Sequence, residues 1–113
     1  MNESIEDAQT RIDDVIRKLD AAAPPNKDAL VALLKSLKTE IGRLDDKHAE
    51  HAASMAGFAE SAAHEATRKS RAPKLLGLSL DGLKQSVAGF ELSHPRLVET
   101  IGEIGRELSS LGI

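Results

Sequence analysis

In the stretch LVALLKSLKTEIGRLDDKHAEHAASMAGFAESA, residues 30–62, the apolar positions step by four and three. They run Leu30, Leu34, Leu37, Ile41, Leu44, then Met55, Phe58 and Ala62, with His48 and His51 in the two places between. This is a heptad seam, the signature of a helix that packs along another helix. Asn26 can cap its start, and the basic run Arg68, Lys69, Arg71 and Lys74 around Pro73 suits a helix C-terminus followed by a turn. The seam therefore predicts one helix over about 26–69, which would be roughly 65 Å long.

Working outward, the chain on either side is also helical in pattern. Ser4 can cap a first helix over about 4–22, with Asp7 placed as in a capping box. Ile5, Ile12, Val15, Ile16 and Leu19 form its apolar face, and Pro24-Pro25 ends it. Beyond Pro73 a second seam steps through Leu76, Leu80, Leu83, Val87, Phe90, His94, Leu97, Ile101, Ile104, Leu108 and Leu111. Ser79 can cap the helix there. Pro95 removes a backbone donor, yet the heptad phase passes through it. The segment reads either as helices 76–92 and 95–111 or as one kinked helix.

A chain of 113 residues suits a single domain, 1–113. Aromatics make up 2% of it, Phe58 and Phe90, so the core must come from Leu, Ile, Val and Ala. That leaves little for stacking bases or enclosing a flat cofactor. The absence of cysteine excludes disulfides and thiolate chemistry. A net charge of −3 gives no global attraction to nucleic acid or anionic membrane. No apolar run approaches the roughly 18 residues of a membrane span. The opening MNESIEDAQT is acidic and polar, unlike a signal peptide, so a cytoplasmic location is expected.

The expected architecture is all-α: a long helical hairpin with the short N-terminal helix packed back on it, three-helix and coiled-coil-like. Its far half is rich in alanine, from Ala49 to Ala66, and buries little area. Dimerisation into a four-helix arrangement is the expected remedy. The self-association seam would comprise Leu44, Met55, Phe58, Leu83, Val87 and Phe90.

His48, His51 and His94 all occupy seam positions, and an antiparallel hairpin turning near residue 73 sets them at one level. One reading is a polar layer that sets register. Another is a divalent metal site, such as zinc, with two ligands at i and i+3 and a third from the facing helix. A pH-sensing layer is a further alternative. The basic turn can contact phosphate, but four charges without interleaved aromatics make weak nucleic-acid accessory binding a lesser alternative. No phosphate-binding glycine loop, His-Glu-x-x-His motif or nucleophile elbow is present, so no catalytic residues are assigned. The expectation is a non-enzymatic interaction or scaffold module without cofactor, homo-oligomeric or paired with another helical protein, and not membrane-bound.

The run Phe90-Glu91-Leu92-Ser93-His94-Pro95-Arg96-Leu97 and the Leu111-Gly112-Ile113 end resemble the tail of a small bacterial family, the DUF4404 domain. The resemblance covers the last third. It implies a small cytoplasmic helical protein with no assigned activity, and marks Phe90, His94 and Pro95 as a local structural motif.

Overall fold

A computed structural model describes residues 4–112, all of whose regular elements are helical. Five α-helices follow in order: α1 Ile5–Ala22, α2 Lys27–Gly42, α3 Ala49–Thr67, α4 Pro73–Gln85 and α5 Pro95–Gly112. A single 3₁₀ turn, Asp46–His48, precedes α3.

The first helix starts as its sequence predicts, with Ser4 Oγ accepting from the Asp7 N–H at 3.0 Å. It ends on Ala23, which is left-handed at φ 47° and donates its N–H to Leu19 O at 2.9 Å. The following prolines turn the chain, so α2 returns antiparallel along α1. Lys38 Nζ lies 2.9 Å from Asp13 Oδ2, and Gln9 Nε2 donates to Lys38 O at 3.0 Å. Asn26 does not cap α2 with its side chain. Its amide instead reaches α5 and donates to Glu107 O and Oε2, at 3.0 and 2.7 Å.

The long helix expected over 26–69 is two helices. After Gly42 the last turn tightens, with Arg43 N–H donating to Glu40 O and Leu44 N–H to Ile41 O. Asp45 is extended, and the 3₁₀ turn then reverses the chain. Heptad phase survives because Ile41, Leu44, Ala52 and Met55 are buried in one continuous core on both sides of the break. The longest dimension of the molecule is 38 Å, well short of the single rod. The three-helix hairpin is thereby replaced by five helices in alternating directions.

Around the bundle the order is α2, α1, α3, α4, α5, and α5 closes the ring against α2 while also touching α3. The alanine face of α3 lies at the middle. Ala52, Ala56, Ala59, Ala62, Ala63 and Ala66 are all buried, facing α1, α4 and α5. Small side chains bring these helices close, so the face expected to form a weak two-helix arm has three neighbours within one chain. Arg11 and Lys18 of α1 both approach Glu60 of α3, at 3.8 and 3.4 Å. Such exposed pairs add only about 0–1 kcal/mol each, which leaves the apolar core dominant.

Pro95 separates two helices rather than kinking one. Residues 86–94 form the link, and Pro95 opens α5. Likewise α4 begins at Pro73, a favoured first helical position, so Ser79 lies inside the helix and is not its cap.

Ala23 generates a direct test. An alanine in the left-handed region costs about 1 kcal/mol, which glycine avoids at the cost of a looser unfolded chain. Ala23→Gly should raise stability by about 0.5 kcal/mol in urea titration, and Ala23→Val should lower it.

Candidate functional site

The link between α4 and α5 is a chain of tight turns. Ala88 N–H donates to Gln85 O at 3.1 Å and Phe90 N–H to Val87 O at 3.0 Å. Gly89 has φ 95°, a conformation side chains rarely adopt, and its N–H donates to Glu91 Oε2 at 2.8 Å. His94 N–H donates to Phe90 O at 2.8 Å, and His94 O accepts from Val98 N–H at 3.3 Å as α5 begins. These turns press the Phe90 ring into the protein, where it is buried.

Three imidazoles meet that ring edge-on. The centroids of His48, His51 and His94 lie 5.0, 5.5 and 5.8 Å from it, with interplanar angles of 74°, 76° and 64°. His48 and His51 are 5.8 Å apart. The 3₁₀ turn brings in His48, the first turn of α3 His51, and the α4–α5 link His94. The seam positions therefore converge, but around a phenyl ring. Edge-to-face contacts of this type contribute about 0.5–1.5 kcal/mol each, so the cluster ties the α2–α3 break to the α4–α5 link. His94 Nδ1 also lies 3.0 Å from Ser93 Oγ. Among the described residues, no three His, Asp or Glu side chains are grouped to hold a metal ion.

The basic turn has structural uses. Arg68 Nη1 lies 2.8 Å from Glu65 Oε1, and Arg71 Nη1 donates to Ala66 O at 3.5 Å, near the α3 C-terminus. Lys69 and Lys74 are exposed.

The self-association seam is largely spent inside the chain. Leu44, Met55, Leu83, Val87 and Phe90 are all buried in the core of one molecule. Phe58 alone of the six stays 39% exposed. Its ring lies over Gly82 of α4, where any side chain would collide with it. Apart from Leu92 in the α4–α5 link, which is 99% exposed, the open large apolar side chains gather on the outer side of α4. Leu75 is 46% exposed and Leu78 66%, and with Gly82 they follow i, i+3, i+7 spacing along one face. Phe58 extends that stripe onto α3. Five leucines crowd positions 75–83, more than one buried stripe uses, and that excess was the available signal. On the opposite flank of α4, toward α5, lies a groove of about 620 Å³ lined by Leu80, Val87, Val98 and Ile101. Only Leu76 and Leu83 of the thirteen α4 residues are buried, so α4 is covered on its inner side alone.

Comparison with protein families matches residues 30–113 to the family described as Domain of unknown function (DUF4404). The chain belongs to this family. The match begins in α2, so the kinship is not confined to the last third, and it takes in α3 with its alanine face as well as the Phe90 link. No curated protein and no solved structure matches the chain. No helix among the described residues is long and apolar enough to cross a membrane.

The cluster makes a ranked prediction for stability. Phe90→Ala removes a buried ring and should cost about 3 kcal/mol in urea unfolding. His94→Ala, which removes one edge-on contact, should cost about 1 kcal/mol. Equal costs would mean that the phenyl ring is not the centre of the cluster.

Proposed function

We propose that the chain is a helical interaction module whose binding face is the outer side of α4 together with Phe58. The stripe formed by Leu75, Leu78 and Phe58 carries this reading. A single exposed leucine is ordinary on a protein surface, but a row at helical spacing joined to an exposed phenylalanine is the kind of patch a partner covers. A partner helix would lay its own apolar face along the row. The heptad leucines do not serve as the docking surface in this reading, since the bundle already uses them. The reading assigns the protein no reaction: its chemistry is the burial of apolar surface.

Photo-crosslinking in cells tests it. A photoreactive phenylalanine analogue at position 78 should give discrete adducts, identifiable by mass spectrometry. The same analogue at position 99, where exposed Glu99 lies on α5, should give none. Leu78→Glu should leave unfolding free energy within about 0.5 kcal/mol, because the side chain is mostly in solvent, while removing the association. Absence of adducts at both 75 and 78 would reject the face.

A further inference from the structure

The row Leu75, Leu78, Gly82 has charges along one margin only. Lys74 and Asp81 are seven residues apart, two helical turns, and so lie on the same side of the row. Both are exposed, and neither enters an ion pair among the described residues. The other margin is the α3 side, where the exposed residues one turn either side of Phe58 are Ser54 and Ser61, both uncharged. One apolar row with a cation and an anion at the two ends of a single margin is complementary to its own reverse.

A two-fold axis makes this concrete. In a contact of that symmetry, if residue i meets residue j, then j meets i. Two α4 helices laid antiparallel with the axis beside Leu78 bring Leu78 against its counterpart. Lys74 of each copy then falls level with Asp81 of the other, since both lie about one turn from the centre in opposite directions. The margins that meet across such an axis are the same margin of the two copies, so both pairs are attractive. Leu75 falls level with Gly82 of the other copy, where the absence of a side chain leaves the Phe58 ring as the surface it meets. A parallel two-fold pairing would instead set this margin of each copy against the uncharged α3 margin of the other, leaving Lys74 and Asp81 without partners.

We propose that the partner of this face is a second copy of the chain, docked through α4 antiparallel about Leu78 and registered by reciprocal Lys74–Asp81 pairs. This rests on the reading of α4 as the binding face and names its occupant. The contact centres on one helix pair with Phe58 at its margin, which is small against the roughly 1,200–2,000 Å² of a standard interface. The dimer is therefore reversible and concentration-dependent.

Charge reversal tests the register, read by sedimentation equilibrium of the full chain across micromolar to millimolar concentration. Lys74→Glu sets carboxylate against carboxylate in both reciprocal pairs, and Asp81→Lys sets ammonium against ammonium in both. Each single variant should dimerise roughly tenfold more weakly than the parent. The double variant should recover the parent affinity to within about threefold, and so should an equimolar mixture of the two single variants, as a heterodimer. Circular dichroism should be unchanged throughout, since both positions are exposed. A dimer that Leu78→Glu abolishes but that ignores both reversals would overturn the antiparallel register. A parent chain monomeric at millimolar concentration would overturn the second copy as occupant. The binding face itself would then stand or fall separately, on whether position 78 crosslinks to a different protein in cells.

Discussion

Close approach at the alanine face of α3 is the constraint from which the rest of the bundle follows. Six buried alanines between Ala52 and Ala66 let α1, α4 and α5 gather around one helix. Each alanine contributes little transfer energy, but it lets backbones draw together and allows the larger side chains of the neighbours to fill the space. Leu19, Leu83, Leu97 and Ile104 are among the side chains buried almost completely in that arrangement. A larger residue in the middle of the face would push a neighbour outward and open the core on the far side. The extended helix that α2 and α3 would form together cannot satisfy the same constraint, because its alanines would then meet fewer neighbours. The break after Gly42 is therefore a condition of the packing as well as a local turn.

Two ends of the chain's path are tied by the Phe90 cluster. One is the reversal at residues 43–48, and the other is the link at 86–94. Both are short segments without regular packing of their own, and the buried phenyl ring gives them a shared centre. Histidines are suited to the surround because an imidazole offers a flat edge to the ring while its nitrogens remain near the surface, where water or Ser93 can meet them. Around this centre an aromatic ring holds the core side and imidazoles the outer side.

The exterior of α4 stands apart from the rest of the surface. Elsewhere the helices show charge outward and apolar residues inward, with ion pairs such as Asp13–Lys38 joining neighbours. On α4 two leucines face out, glycines leave the helix narrow, and Phe58 leans across from α3. Burial of these groups by a partner would complete on the outside of α4 what α3 and α5 accomplish on the inside.

All-helical character, the cap at Ser4 and the stop at Pro24-Pro25 were legible in the sequence, because they depend on neighbours within a turn or two. So was the level shared by His48, His51 and His94, which needs only helical spacing and a hairpin. The break at residues 43–48 was not legible. Heptad phase reports which side chains are buried, and Ile41, Leu44 and Met55 are buried whether the chain runs straight or doubles back. Nor could the pattern say that Leu44, Met55, Leu83, Val87 and Phe90 are covered by their own chain while Leu75 and Leu78 are not. A seam specifies an apolar face and leaves its complement open. Which surface supplies that complement is a property of five helices packed at once, and tertiary structure alone decides it.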